Sequence, residues 1–171
     1  MRDTLQRMHL PMPIIDVIYD CITTCSMCVL WNGVPTKSFK PTRGIRQGDP
    51  LSPYIFVMCM ERLAHVIEAA VSQKRWKPVT ASRGGGPISN LMFADDLVLF
   101  AEASMGQVQV LKECLDRFCA ASGQKINQDK SRIMFSSNMP DSEMQHISEL
   151  IGIPAMDDLG MYLGCPLYQG K

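Results

Sequence analysis

The sequence predicts an α+β fold, an antiparallel sheet with helices packed on one face, and three observations point there. Apolar residues recur at helical spacing in four separate stretches, the longest opened by Pro50, Ser52 and Pro53. β-Prone runs flank Asn32-Gly33, the dipeptide that most often turns a hairpin. A second pair of apolar runs, Ile88-Ser89-Asn90-Leu91-Met92 and Leu97-Val98-Leu99-Phe100, brackets Phe93-Ala94-Asp95-Asp96 and reads as a hairpin with two carboxylates at its tip.

Taken in order, a helix is expected over Arg2 to Met8. Pro13 at a first helical position, followed by Ile14, Ile15, Ile18 and Ile22, predicts a second ending near Thr23-Thr24. Residues Ser26 to Trp31 and Thr36 to Phe39 are the strands of the Asn32-Gly33 hairpin. In the next helix Ile55, Cys59, Leu63, Ile67 and Ala70 fall on one face, and Lys74 and Arg75 close it where cations complement the dipole. Gly84-Gly85-Gly86-Pro87 reads as a connection, because it leads into a strand and lacks the Lys-Ser/Thr of a phosphate loop. Ser104 with Gln107 forms a capping box for a helix striped by Val108, Leu111, Leu115 and Phe118 that stops at Gly123. Arg132 to Ser136 is expected as a strand, and Met144, Ile147 and Ile151 mark a last short helix.

A chain of 171 residues that is 46% hydrophobic can build one domain with a real core. No apolar stretch has the length of a membrane span, and the N-terminus, with Arg2, Asp3, Gln6 and Arg7, lacks the apolar core of a signal peptide. An intracellular protein, nuclear or cytoplasmic, is therefore expected. Seven cysteines, an odd number, are expected as thiols without a disulfide framework, with Cys59, Cys114 and Cys119 serving as small apolar residues in helices. Cys21, Cys25 and Cys28 have the C-x3-C-x2-C spacing of radical enzymes with an iron–sulfur cluster, but no glycine-rich cofactor segment supports it, and buried free cysteines are the ordinary reading.

Lysine plus arginine and aspartate plus glutamate both number 17, so bulk charge does not mark a nucleic-acid binder. The distribution is more informative. Lys37, Lys40, Arg43 and Arg46 recur every third residue without an acid among them and with Phe39 inside the run. Such a strip can neutralise phosphates and stack a base, or can be a solvated loop. Lys74, Arg75, Lys77 and Arg83 form a second basic group.

Successive side chains of a strand point to opposite faces, so adjacent acids converge on one ion only where the backbone turns. The pair Asp95-Asp96 at a tip therefore suits a hard divalent cation such as Mg²⁺ or Mn²⁺, the ordinary alternative being a solvated acidic turn. Gln47-Gly48 precedes a helix start, where backbone without a side chain can approach a ligand and free N–H groups favour anions.

Four blocks in order carry a resemblance that covers nearly the whole chain: Arg46-Gln47-Gly48-Asp49-Pro50-Leu51-Ser52-Pro53-Tyr54-Ile55-Phe56, Phe93-Ala94-Asp95-Asp96, Gly123-Gln124-Lys125-Ile126-Asn127-Gln128-Asp129-Lys130-Ser131 and Tyr162-Leu163-Gly164-Cys165-Pro166-Leu167. The chain resembles the reverse transcriptases of non-LTR, LINE-type retrotransposons, especially those of plants. The resemblance implies part of a polymerase palm over residues 1–136 and a palm-to-thumb connection with a primer-grip-like segment over 137–171. It implies RNA-directed DNA synthesis by two-metal nucleotidyl transfer onto a primer 3′-hydroxyl, with Mg²⁺ or Mn²⁺, an RNA template, a DNA primer and deoxynucleoside triphosphates.

By the same resemblance Asp95 and Asp96 are catalytic and hold metal, and Gln47, Gly48, Phe93 and Lys130 contact the nucleotide. Lys37, Lys40, Arg43, Arg46, Tyr162, Leu163 and Gly164 contact template or primer. Plainer roles stand beside these: a strand aromatic for Phe93, a surface arginine for Arg46, a solubilising lysine for Lys130 and a core-packing turn for Tyr162-Leu163-Gly164. Relatives carry another metal-binding aspartate on a strand before a helix like Arg2 to Met8. Asp3, Asp16 and Asp20 do not replace it, since Asp16 and Asp20 lie four apart on a predicted helix face. The expectation is a fragment without the first catalytic strand, the fingers and the full thumb, inactive and poorly soluble alone. The alternative is a non-catalytic nucleic-acid-binding remnant of a retrotransposon.

Overall fold

The computed structural model describes residues 1–80 and 84–167, which form two compact units. The first comprises Met1–Arg62 with Ser122–Gln124, the second Leu63–Ala121 with Lys125–Lys171. Among the described residues no helix is long and apolar enough to cross a membrane.

In the first unit α1 (Arg2–Arg7) and α2 (Met12–Thr23) precede a hairpin of β1 (Leu30–Trp31) and β2 (Val34–Pro35). Proline in the first turn of α2 meets a position whose N–H has no helical partner, as the sequence suggested. Asn32 at φ 49° and Gly33 at φ 81° supply the two positive φ angles of the expected tight turn. Leu5 and Ile15, with no exposed surface, pack with Ile18 and Ile55 as the core, and Leu10, Ile22, Leu51 and Met58 lean against it. Asp3 pairs with Arg7 and Arg62, and Asp16 pairs with Arg2, whose guanidinium lies 4.3 Å from the Tyr19 ring centroid. These acids are bound into surface ion pairs.

The helix α3 (Ser52–Ser72) has the expected stripe, with Ile55, Leu63, Ile67 and Ala70 buried and Cys59 half-buried. Its end falls as Lys74 and Arg75 suggested: Lys74 takes φ 58°, and the N–H groups of Arg75 and Trp76 both donate to the Ala70 carbonyl.

The second unit continues with β3 (Val79–Thr80), β4 (Pro87–Ile88), β5 (Asn90–Phe93), β6 (Asp96–Leu99), α4 (Met105–Ser122), α5 (Asp141–Ile151), β7 (Met161–Tyr162) and β8 (Cys165–Pro166). The fold is thus a mixture of helices and antiparallel strands. Among the described residues, however, the strands form four two-stranded ladders rather than one sheet, each strand of two to four residues pairing with its own hairpin partner. Pro87, expected in the glycine-rich connection, instead opens β4 and pairs with Thr80. Arg132 to Ser136 forms no strand; only Ile133 makes a bridge, parallel, to Ala155. A single β-branched residue there makes a ladder pairing, too little to count as a strand.

Trp76, Leu63, Ile67, Val108, Cys114, Leu115, Phe118 and Ile147 are buried in this unit. The capping box is half realised. The Gln107 N–H donates to Ser104 Oγ at 3.4 Å, but the Gln107 amide reaches across the chain, accepting from the Lys77 N–H at 2.7 Å and donating to the Arg75 carbonyl at 2.8 Å. Two backbone groups that end the α3 connection offer the amide better partners than the helix start does.

Candidate nucleotidyl-transfer and nucleic-acid site

The acidic hairpin exists, with its turn one residue earlier than expected. Phe93 pairs with Asp96, Met92 with Leu97, Leu91 with Val98 and Asn90 with Leu99, so the turn is Ala94-Asp95 and Asp96 opens β6. Moving a two-residue turn by one position leaves every side chain on its own face, so alternation alone cannot tell the two registers apart. The observed one sets Met92 against Leu97 and places Ala94 at φ 50°, a conformation that costs a non-glycine residue about 1 kcal/mol or more.

Asp95 and Asp96 are both exposed, and Phe93, 60% exposed, shares a face with Asp96 across the ladder. Among the described residues neither carboxylate makes a hydrogen bond or an ion pair, nor do three or more His, Cys, Asp or Glu side chains cluster as a metal-ligand group. Two unpaired carboxylates with hard oxygens fit part of a Mg²⁺ or Mn²⁺ site, approached from one side. Trp76 steadies the base of this hairpin, its indole N–H donating to the Phe100 carbonyl at 2.8 Å.

The other expected residues of the second unit are spread over separate elements. Lys130 is exposed in a 3-10 turn, Gln128–Lys130, whose start is capped by Asn127 accepting from the Lys130 N–H. Tyr162 is half-buried at the end of β7, and Leu163 at φ 50° with Gly164 at φ 81° turns the chain into β8. This is a hairpin tip with Leu163 52% exposed. No hydrogen bond or ion pair among the described residues links Lys130 or Tyr162 to the acidic turn.

In the first unit the basic run borders a cleft of about 350 Å³ lined by Arg43, Arg46, Gln47, Asp49, Met27 and Ser52, among others. Lys37 and Lys40 are exposed and lie outside its lining. Arg46 pairs with Asp49, whose other carboxylate oxygen accepts from the Leu51 N–H at 2.9 Å, so this acid both holds the arginine and shapes the approach to α3. Sequence reasoning missed that role, although Asp49 stands three residues after Arg46 and just before Pro50, a position from which it can reach both. Gly48 sits in a turn at φ 83° with open space where a Cβ would lie, so backbone conformation, not crowding, requires glycine there.

Two expectations fade. Arg75 is paired with Glu113 and Lys77 with Glu102 at 2.9 Å, so two of the four cations of the second basic group are ion-paired, and Arg83 lies outside the described residues. Cys21 and Cys28 are exposed, and the Cys25 thiol donates to the Cys21 carbonyl at 2.8 Å; all seven cysteines are free.

The family model described as reverse transcriptase (RNA-dependent DNA polymerase) matches residues 2–167. A retrovirus-related Pol polyprotein from the type-2 retrotransposable element R2DM of Drosophila melanogaster is 34% identical over 128 residues, 75% of this chain and 11% of the polyprotein. A Pol polyprotein from the type-1 retrotransposable element R2 of Nasonia vitripennis is 41% identical over 75 residues, 43% of this chain and 6% of that protein. An uncharacterized mitochondrial protein of Arabidopsis thaliana is 45% identical over 65 residues, 38% of this chain and 53% of that one.

Proposed function

The chain belongs to the reverse transcriptase (RNA-dependent DNA polymerase) family, and on that footing we propose that its residues serve RNA-directed DNA synthesis in a non-LTR retrotransposon. The observation that carries this reading is the pair of unpaired, exposed carboxylates at Asp95 and Asp96 in the matched region. Residues 1–136 are read as palm and 137–171 as the connection toward a thumb.

Asp95, at the turn, and Asp96, at the strand start, hold Mg²⁺ or Mn²⁺, and a further carboxylate from outside this hairpin completes the set. A pair of such ions, when bound, offsets the charge that builds on the attacking 3′-oxygen and on the departing pyrophosphate. Gln47 and the Gly48 backbone contact the incoming deoxynucleotide, and Lys130 supports its phosphates. Phe93 offers a ring beside Asp96. Lys37, Lys40, Arg43 and Arg46 follow the template backbone, and Tyr162, Leu163 and Gly164 seat the primer. The isolated chain is inactive in this reading, because two carboxylates from one turn cannot clamp two ions from opposite sides.

A non-catalytic nucleic-acid-binding role is the second reading, favoured by the exposed cations Lys37, Lys40 and Arg43, which make no ion pair among the described residues and need no metal to meet a phosphate backbone. Mn²⁺ titration followed by nuclear magnetic resonance separates the two. Selective broadening at Ala94 to Leu97, reversed by Mg²⁺ and absent from Asp95→Asn, supports the polymerase reading. Broadening that ignores this turn overturns it.

A further inference from the structure

We propose that one face of the hairpin over residues 27–39 is a stacking surface for a single-stranded nucleic acid, with Trp31 against its bases and Lys37 and Lys40 on its phosphates. The proposal rests on reading this chain as a nucleic-acid binder.

Alternation puts Met27, Val29 and Trp31 on one face of the first strand, and the pairings Trp31–Val34 and Met27–Phe39 add two residues from the second. All five are exposed: Met27 40%, Val29 51%, Trp31 73%, Val34 66% and Phe39 48%. The two tryptophans of the chain could hardly differ more, since Trp76 is 1% exposed. A large apolar patch rimmed by polar groups marks an interaction site.

Charge identifies the occupant. From Cys21 to Gly48 there is not one aspartate or glutamate, while Lys37, Lys40, Arg43 and Arg46 all lie in that span of a chain with no net charge. Among the described residues Lys37, Lys40 and Arg43 make no ion pair. Between the Leu30–Pro35 pair and the Met27–Phe39 bridge, residues 28–29 of one strand oppose 36–38 of the other, so Lys37 sits in a bulge. The Thr36 hydroxyl accepts from the Val29 N–H at 3.0 Å and the Thr36 N–H donates to the Val29 carbonyl at 2.8 Å, holding that bulge in place. Met27 also lines the cleft beside Arg43, Arg46 and Gln47, so the apolar face and the cleft are continuous. Aromatic rings exposed beside cations that track a backbone are what sequence-tolerant single-strand binding needs.

Trp31 reports on itself. Titrating the chain with oligouridylate RNA or oligothymidylate DNA should quench its exposed-indole emission, while the buried Trp76 emission shows that the fold is intact. Trp31→Leu should remove the quenching and weaken single-strand binding roughly 5- to 150-fold without changing the salt slope, and Trp31→Tyr should restore much of the affinity. Lys37→Gln and Lys40→Gln should each lower the slope by about 0.7. A difference between the RNA and DNA arms identifies which strand is preferred. If Trp31→Leu binds as the unsubstituted chain does while the lysine variants still lower the slope, stacking is overturned and nucleic-acid binding stands. If none of these variants changes binding, the strand sits elsewhere on the chain and this proposal falls while nucleic-acid binding stands; if the unsubstituted chain binds neither oligonucleotide, both fall. If Trp31→Leu leaves binding alone and instead dissolves self-association, the face is an interface between copies and the proposal is wrong.

Discussion

The indole N–H of Trp76 donates to the backbone carbonyl of Phe100 at 2.8 Å, tying the turn that ends α3 to the residue that follows β6. The ring is 1% exposed, and the Phe100 N–H in turn donates to the Ser89 carbonyl at 2.8 Å. Both legs of the acidic hairpin are therefore anchored at their open end by a residue outside the four sequence blocks.

Removing that donor has a defined cost. Trp76→Phe leaves the Phe100 carbonyl without its partner and a void beside it, and should lower stability by about 2 to 4 kcal/mol. Urea unfolding followed by far-UV circular dichroism measures this. A loss below about 0.5 kcal/mol would mean that water replaces the bond at no cost.

Gln107 tests how far its amide serves the second unit rather than its own helix. It is 9% exposed and bridges the Lys77 N–H and the Arg75 carbonyl. Gln107→Leu keeps the bulk and removes both partners, with an expected loss of about 2 kcal/mol. Ser104→Ala, which removes only the weaker helix cap, should cost about 1 kcal/mol. Equal losses in the two variants would contradict the bridging role.

Helix positions and the Asn32-Gly33 turn were readable because local rules decide them: proline at a helix start, apolar spacing, and positive φ at a two-residue turn. The acidic pair was found but placed one residue late, since both registers keep Met92 and Leu97 on the same face. The strand expected over Arg132 to Ser136 failed because its one bridge depends on Ala155, far along the chain. Gln107 was assigned to a capping box, and partners 30 or more residues away in sequence claimed its amide. Trp31 carries no signature in the one-dimensional pattern, as its exposure appears only after folding, whereas Asp49 was legible in its spacing, three residues after Arg46 and two before Leu51, and was overlooked.

The thiols set a pH dependence. Burial pushes the Cys59 thiol up, against smaller lowering by the N-terminal amino group and a Gln124 hydrogen bond. Burial likewise raises Cys114 and Cys119, with Arg75 lowering the former and Asp116 adding to the rise of the latter. A folded thiol with a raised pKa holds its proton after the unfolded one has lost it. Its stabilising contribution is therefore complete below the unfolded value of about 8.5 and is lost as pH rises through the folded one. Urea midpoints should fall between neutral pH and the alkaline range, and Cys114→Ala should flatten that fall. A midpoint that rises with alkalinity would contradict the burial of these thiols.

RNA-directed DNA synthesis at the Asp95-Asp96 turn is tested most directly by primer extension on an RNA template, with Mg²⁺ and deoxynucleoside triphosphates, in a polymerase-length protein that contains these 171 residues. Asp95→Asn should reduce extension to background while far-UV circular dichroism and single-strand binding stay unchanged. Extension within about tenfold of the unsubstituted protein, a barrier change of only about 1.4 kcal/mol, would contradict the assignment of that carboxylate to catalysis.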